Sequence, residues 1–319
     1  AIGFSALSKD TKGNKSVAIG REALFNQNFT TSTDVFNTAV GYSAGVSVTT
    51  GVQNTLIGGL AGDALTDADF NVAIGLSALS GDTLGSKSIA IGVNALQTQN
   101  FTTATDSFNV AIGHNAGTAV TTGILNTFIG GESGDSLTVG TRNVSLGQGS
   151  LGADTKGSRS VAIGQGALNN QNFTTATDAY NIAVGNAAGS QITTGVQNTI
   201  MGSLAGDALT DADFNVAIGY GALGADTLGN KSVAVGHNNL RSQNFTTATN
   251  SFNTAIGHGA GLDMTTGVQN TLLGGEAGDA LTTGASNVAI GYLALTTDTA
   301  GKFNVAIGEG SLASQNNTG

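Results

Sequence analysis

The sequence predicts an all-β fold, a parallel β-solenoid, and three observations lead to this prediction. A large apolar residue followed by glycine recurs along the chain at steps of 17 or 21 residues. The composition, with 49 Gly, no Pro and only 10% charged residues, favours Gly, Thr, Asn and Ser over the residues of long helices. Repeats this short cannot enclose a core alone and become stable only by stacking on equivalent repeats.

The recurring glycines, called marker glycines below, divide the chain into coils. Their steps follow the order 21, 17, 17, 17, so four coils form a superrepeat of 72 residues. This spacing predicts about 18 coils in a single solenoid domain over residues 1–319, and a start in mid-pattern favours a segment of a longer fibre. The marker glycines are Gly3, Gly20, Gly41, Gly58, Gly75, Gly92, Gly113, Gly130, Gly147, Gly164, Gly185, Gly202, Gly219, Gly236, Gly257, Gly274, Gly291 and Gly308.

Each coil is predicted to hold a strand, a second short apolar stretch and a turn. In the coil 215–231, Val216 and Ile218 alternate with alanine, which is strand periodicity, and we place Ile218 in a stacked apolar column. Gly229 lies ten residues after its marker glycine, and we expect the turn there to need a positive φ. Its equivalents are Gly51, Gly85, Gly123, Gly157, Gly195 and Gly267.

Asparagine occupies the fourth position before most marker glycines, and serine takes that position once per superrepeat. Stacked amides can hydrogen-bond along a column, as they do in cross-β structures, and we favour such a structural ladder. The alternative is that asparagine merely suits a turn. The asparagines are Asn37, Asn54, Asn71, Asn109, Asn126, Asn143, Asn181, Asn198, Asn215, Asn253, Asn270, Asn287 and Asn304, and the serines are Ser16, Ser88, Ser160 and Ser232.

The strand is apolar on both faces, which bears on assembly. Alanine stands between the two outer residues in most coils, but one coil in four has a larger residue there, namely Leu56, Phe128, Ile200 or Leu272. A strand of this kind is normally buried on both faces, whereas a coil of two strands encloses only one of them. The sequence therefore predicts that the other face packs on a second copy, making a homo-oligomer.

Charge and residue usage exclude several classes of partner. The net charge of −10 argues against nucleic acid, because a phosphate backbone requires a basic surface. The chain has no Cys, so it forms no disulfide or thiolate metal site. We find no signal peptide and no apolar run long enough to span a bilayer, and we expect neither direct membrane insertion nor a cofactor.

Several stretches resemble the repeats of known fibre proteins. KSVAIG at 15–20, SKSIAIG at 86–92 and SRSVAIG at 158–164 resemble the head repeats of trimeric autotransporter adhesins. NTAVGYSAG at 37–45 and NTAIGHGAG at 253–261 are similar to repeats of bacteriophage tail fibres. The resemblance covers the whole chain and implies a left-handed β-roll, a homotrimer and a role in surface attachment. The coils here are longer than the usual adhesin head coil, and the 72-residue superrepeat is unusual there.

Enzyme motifs occur only as variants of the repeat. GYSAG at 41–45 matches the nucleophile elbow, but equivalent stretches read GHNAG, GNAAG and GHGAG, so Ser43 fills a variable position. GQGSLG at 147–152 and GYGALG at 219–224 match a dinucleotide-binding fingerprint, and neither opens a predicted helix. The histidines follow marker glycines at a position of mixed residue type, which suggests exposure. We predict no catalytic residues and no enzymatic activity; the histidines are His114, His237 and His258.

Aspartates in the third coil of two of the four superrepeats are the best metal candidates. Asp67 and Asp69 follow GDALT, with Asp211 and Asp213 in a copy, and paired aspartates on a turn can bind Ca²⁺. The other two equivalent coils lack both aspartates. We therefore expect a solvated turn and keep these four residues only as calcium candidates.

The 21-residue coil carries a stretch that occurs four times, for example QNFTTATDAYN at 171–181. Four extra residues predict a loop that bulges outward without disturbing the strands, and loops on a rigid scaffold commonly carry binding. We expect Phe173 and Tyr180, and the aromatics of the other copies, to cap the edge of the roll or wedge between chains. The threonines are the surface-contact candidates: Thr30, Thr31, Thr102, Thr103, Thr174, Thr175, Thr246 and Thr247.

These observations predict an extracellular structural fibre segment that presents repeated loops to a host surface. A phage tail fibre is the first interpretation, and the head of a bacterial trimeric surface adhesin is the alternative. A third possibility, an ice- or mineral-binding solenoid, requires flat threonine ladders, whereas the threonines here are mostly in turns. The expected partners are further copies of the chain, with a cell-surface glycan or protein receptor as target.

Overall fold

The computed structural model describes residues 1–317, and its regular elements are all short β-strands. No helix forms within these residues, and so none that could span a bilayer. Strands of three residues form at the apolar triplets before the marker glycines, and strands of two residues flank the long coils. The three-residue strands number seventeen, because the first coil contributes only an isolated bridge between Ile2 and Ile19.

The strands have the following bounds. The three-residue strands are β2 (Val17–Ile19), β4 (Thr38–Val40), β5 (Thr55–Ile57), β6 (Val72–Ile74), β8 (Ile89–Ile91), β10 (Val110–Ile112), β11 (Thr127–Ile129), β12 (Val144–Leu146), β14 (Val161–Ile163), β16 (Ile182–Val184), β17 (Thr199–Met201), β18 (Val216–Ile218), β20 (Val233–Val235), β22 (Thr254–Ile256), β23 (Thr271–Leu273), β24 (Val288–Ile290) and β25 (Val305–Ile307). The two-residue strands are β1 (Gly13–Asn14), β3 (Thr33–Asp34), β7 (Gly85–Ser86), β9 (Thr105–Asp106), β13 (Gly157–Ser158), β15 (Thr177–Asp178), β19 (Gly229–Asn230) and β21 (Thr249–Asn250).

The chain divides into two compact units. The first comprises Ala1–Ser158 with Thr174–Thr177. In it, β2, β4, β5, β6, β8, β10, β11 and β12 pair in that order, all parallel and in register. The small sheets β1–β3 and β7–β9 lie beside this stack. The first unit is thus a parallel β-solenoid.

The second unit comprises Arg159–Phe173 and the residues from Asp178 onward. Here β14, β16, β17, β18, β20, β22, β23, β24 and β25 form the same parallel stack, and β19 pairs with β21. The predicted fold class is confirmed for each unit. The expectation of one domain over the whole chain stays a prediction.

Only the central residue of each three-residue strand points into the coil. Ala217 is fully buried, whereas Val216 and Ile218 on either side of it are half-exposed. Successive residues of a strand face opposite sides, so a triplet sends one side chain inward and two outward. The placement of Ile218 in the core was therefore wrong, and the core consists of the central residues and the second apolar stretch, such as Leu223.

The larger central residues fill space that leucines fill in other coils. The fourth residue after a marker glycine is leucine in ten of the 18 coils, such as the buried Leu96, and glycine in the other eight. A Cβ atom on Gly117 would lie 2.8 Å from Cδ2 of Phe128, and one on Gly134 would lie 2.3 Å from its Cε1. One large central side chain thus replaces leucines from two coils, which keeps the interior filled.

The turn glycines are required for space and not for backbone conformation. Gly51 and its equivalents have no positive φ, so that prediction was wrong. A Cβ atom on Gly51 would lie 2.4 Å from the carbonyl oxygen of Ala68 in the next coil. The left-handed conformation is instead adopted by other residues, among them the buried Leu24 (φ 50°) and the exposed Phe36 (φ 56°). Stacking imposes this conformation against the local preference of these residues.

The four extra residues of a long coil do not all bulge outward. Gly13 pairs with Thr33 and Val17 pairs with Thr38, so the long coil has one residue more than its partner between the two pairings. The extra residue forms a β-bulge at Val35, whose side chain is fully buried. The same offset recurs between β7 and β9 and between β19 and β21. Three extra residues remain for the exposed loop tip, Thr30–Ser32 in the first copy.

Candidate functional site

The asparagines form a buried column, but mainly through the backbone. Asn54 donates its backbone N–H to Oδ1 of Asn37 at 2.8 Å, and its Nδ2 donates to the carbonyl oxygen of Ala68 at 2.7 Å. Direct bonds between the two side-chain amides are longer, 3.4 Å for this pair. Each side-chain amide thus accepts the backbone N–H of the next asparagine and donates to a turn carbonyl. These backbone groups would be costly to leave unpaired in the interior.

A buried aspartate and glutamine take over where serine interrupts the asparagine column. Gln99 donates to Asp82 at 2.5 Å and to Ser88 at 2.8 Å, and its Oε1 accepts from Nδ2 of Asn109 at 2.8 Å. Asp82 also accepts the backbone N–H of Phe101 at 3.1 Å, at the start of the long loop. This network fixes the point at which the long loop leaves the coil. Through Gln99 it also connects to Asn109, where the asparagine column continues.

The exposed apolar side chains are concentrated on one side of the coils. We define the outer face as the two outward residues of each three-residue strand together with the corner residue, which is the fifth before each marker glycine. Within residues 1–317, every exposed large apolar side chain lies in the outer face or directly after a marker glycine, except Ile2, Val139 and Leu312. Members in the first unit include Val17, Ile57 and Ile112, and those in the second include Ile182, Met201 and Leu273.

The corner residues form charged aromatic clusters beside the long loops. Lys87 lies 2.6 Å from Asp106 and 5.1 Å from the ring centroid of Phe108, which is 49% exposed. Equivalent clusters are Lys15, Asp34 and Phe36, then Arg159, Asp178 and Tyr180, and finally Lys231 with Phe252, where Asn250 replaces the aspartate. Such exposed ion pairs contribute little to stability. The four basic residues recur in the sequence at intervals of 72 residues, and this spacing does not indicate their aromatic partners.

The two aromatics of each long loop have different surroundings. The first, such as Phe101, is buried and anchors the loop, whereas the second, such as Phe108, is exposed in the outer face. Between them, Thr102 and Thr103 are exposed at the loop tip, together with Ala104. The other threonine candidates are exposed as well, namely Thr30, Thr31, Thr174, Thr175, Thr246 and Thr247.

The calcium candidates are engaged by the preceding coil. Oδ1 of Asp67 accepts from Thr50 at 2.6 Å, and Oδ1 of Asp69 accepts the backbone N–H of Val52 at 2.7 Å. Asp211 and Asp213 make the equivalent bonds, so a cation would compete with all four. Within the described chain, no three His, Asp or Glu side chains converge in a way that could hold a metal ion.

Further polar groups of the turns are also used within the solenoid. The hydroxyl of Thr66 donates to the carbonyl oxygen of Thr83 in the next coil at 3.0 Å, and Thr138 donates to Thr155 at 2.8 Å.

The three histidines are exposed, and two of them, His237 and His258, stack face to face with ring centroids 5.1 Å apart. Ser43 is buried.

No family model, no curated protein and no solved structure matches this chain.

Proposed function

We propose that the chain is a structural segment of an attachment fibre, in which copies associate through the outer face and present the loop tips to a host surface. The observation that carries this proposal is the concentration of exposed large apolar side chains in the outer face and directly after the marker glycines. A repeated apolar patch of this kind on one side of a protein marks an interaction surface. A further copy is the partner that carries the same repeat spacing, so matching residues meet at every coil.

The resemblance to fibre repeats supports three chains, an extracellular location and the absence of enzymatic activity. It favours a phage tail fibre, with the head of a bacterial trimeric adhesin as the alternative. The sequence of the parent protein separates the two, because a membrane-anchoring barrel indicates an adhesin and a baseplate-binding region indicates a tail fibre. Ice or mineral binding is less well supported, since the hydroxyls of turn threonines such as Thr66 donate hydrogen bonds to carbonyl oxygens of the next coil.

Native mass spectrometry at micromolar concentration tests the self-association. We expect the wild type to have the mass of a trimer, and a stable monomer would contradict the proposal. A variant with Ile112→Lys, Met201→Lys and Leu273→Lys places three charges in the outer face, and their burial on association is unfavourable by several kcal/mol. We expect folded monomers from it, with an unchanged circular dichroism spectrum.

A matched control carries the same three lysines at the loop tips, as Thr31→Lys, Thr103→Lys and Thr247→Lys. Those positions are exposed and lie outside the outer face. This variant should keep the wild-type mass. Equal dissociation of both variants would mean that added charge, and not the outer face, controls assembly.

A further inference from the structure

A surface cavity in the second unit is lined by residues from three successive coils. Its volume is about 250 Å³. The preceding coil contributes Leu204 and Asp207, the middle coil Tyr220 and glycines, and the following coil Arg241; the glycines and alanine of the lining are Gly221, Gly224 and Ala225.

The cavity exists because several departures from the repeat coincide. At the equivalent positions of the first superrepeat, Leu76 replaces the tyrosine, Ser77 and Ser80 replace the glycines, and Gln97 replaces the arginine. In the second superrepeat both glycines are present, but glutamine and asparagine replace the tyrosine and the arginine. Only the aspartate is common to all four copies. The third superrepeat alone thus combines an aromatic ring, a cation, a carboxylate and room between them.

The aromatic ring of the cavity is held in place from one side. Tyr220 stacks on His237 of the following coil, with ring centroids 5.4 Å apart and an angle of 19° between the planes. His237 stacks in turn on His258. The preceding coil has the small Ser203 at this position, so the opposite face of the Tyr220 ring is the one that remains open.

The charged groups of the cavity are available to a ligand. Within residues 1–317, no carboxylate lies within salt-bridge distance of the Arg241 guanidinium, and its side chain has no hydrogen-bond partner in the chain. Burial raises the pKa of Asp207, and the neighbouring Arg241 offsets this in part. A guanidinium only donates hydrogen bonds, whereas a carboxylate only accepts them.

We propose that this cavity binds one hexopyranose unit of a carbohydrate. A sugar hydroxyl both donates and accepts, so neighbouring hydroxyls can donate to Asp207 and accept from Arg241. The apolar C–H face of the ring packs on the open face of Tyr220, which offers a large rigid surface. A cavity shaped by glycines admits the ring without displacing side chains. The site is separate from the loop tips and does not depend on the proposed attachment function.

Saturation-transfer NMR on the full chain of residues 1–319 tests this proposal, with methyl glucoside, methyl galactoside and methyl mannoside as probes. A ligand of this size with few contacts should bind with a Kd in the millimolar range. The variants Tyr220→Leu, Gly224→Ser and Arg241→Gln introduce residues that the first superrepeat carries at the same positions, so the fold tolerates them. We expect each to weaken binding about ten- to hundredfold, as loss of a charged hydrogen bond or of space does.

Tyr292→Leu is the matched control, because Tyr292 is equally exposed at the same coil position but does not line the cavity. It should leave binding unchanged. Absence of saturation transfer to all three sugars, each at a concentration about 50-fold above a Kd of about 1 mM, would overturn the proposal. Equal binding by the wild type and the three variants would also overturn it. Loss with Tyr220→Leu but not with Arg241→Gln would also overturn it, since binding would then need only an exposed ring.

Discussion

At the scale of single residues, the three positions of a strand have unequal importance. Ala217 is fully buried and stacks on the central residues Ile200 and Ala234 of adjacent strands, whereas Ile218 next to it faces outward. The small alanine therefore packs in the interior of the coil, and the larger isoleucine lies at its surface. Hydropathy alone would place the isoleucine inside and the alanine outside.

Ala217→Asp should destabilise the solenoid, because it buries a carboxylate without a partner at a cost of several kcal/mol. Ile218→Asp should leave the coil folded and affect only association. Hydrogen exchange read by mass spectrometry distinguishes the two, with fast exchange in the coils around residue 217 only for the first variant. Because solenoid contacts link nearest neighbours, distant coils should stay protected. Uniform loosening of the unit would contradict that picture.

The buried carboxylate of Asp226 gives the stability a pH dependence. Burial raises its pKa above the ordinary value of 3.8, although Gln243 and the backbone N–H groups of Phe245 and Gly229 donate to it. The folded state therefore binds more protons than the unfolded state between 3.8 and the raised pKa. Its contribution to stability is fully present below 3.8 and is lost as the pH rises through the raised pKa.

Asp226→Asn removes this titration. We expect the difference in unfolding free energy, wild type minus variant, to decrease as the pH rises through the raised pKa of Asp226 and then to level off. Urea unfolding at a series of pH values measures it, and the other carboxylates cancel in the difference. Parallel curves for the two proteins would show that Asp226 does not change its protonation on unfolding.

At the scale of one coil, interior volume is shared between the strand and the following turn. Phe128 occupies space above both Gly117 and Gly134, and a leucine at either glycine is incompatible with the ring. The superrepeat therefore fills its interior in two alternating ways, with leucines that follow the marker glycines or with one large central residue. The sequence of a single coil does not reveal this exchange.

Phe128→Ala alone should destabilise the protein by about 3–5 kcal/mol through the cavity that it leaves. Gly134→Leu alone should cost at least about 1–3 kcal/mol through overpacking against the ring. Combined, the two substitutions reproduce the alanine and leucine of other coils. The double variant should therefore lose less unfolding free energy than the sum of the two single losses. A double-mutant cycle by chemical denaturation measures this coupling, and additive effects would refute the shared volume.

At the scale of the whole molecule, the long coils repeat one exposed tip four times along the sequence. Each tip leaves the solenoid between a buried phenylalanine and a two-residue strand, as at Phe101 and β9. Many weak contacts through repeated tips would gain avidity on a repetitive surface. The extra residue at each buried bulge belongs to the scaffold and not to the tip.

Deleting the tips should separate attachment from stability. A variant that lacks Thr30–Ser32, Thr102–Ala104, Thr174–Ala176 and Thr246–Ala248 keeps the strands and bulges, and the shorter loops change closure entropy by only a few tenths of a kcal/mol each. We expect a nearly unchanged Tm and loss of binding to an array of bacterial surface polysaccharides. Dissociation into monomers would identify the tips as contacts between chains, and binding as strong as that of the wild type would place attachment elsewhere.

The sequence by itself determined the solenoid, the number of residues per coil and the asparagine column. A period that recurs through the whole chain admits few folds, because each strand must pair with its equivalent. The exposure of the threonine tips followed from the same reasoning, since most of the residues added to a repeat must leave the stack.

Only the tertiary structure decided which side of each strand is interior, how the extra residues divide between tip and bulge, and where a cavity opens. A strand that is apolar on both sides, such as Val216–Ile218, gives no sign of its inward side in its own pattern. The cavity beside Tyr220 depends on residues more than 30 positions apart, from Leu204 to Arg241. Such features arise between stacked coils, so the residues of one coil cannot specify them.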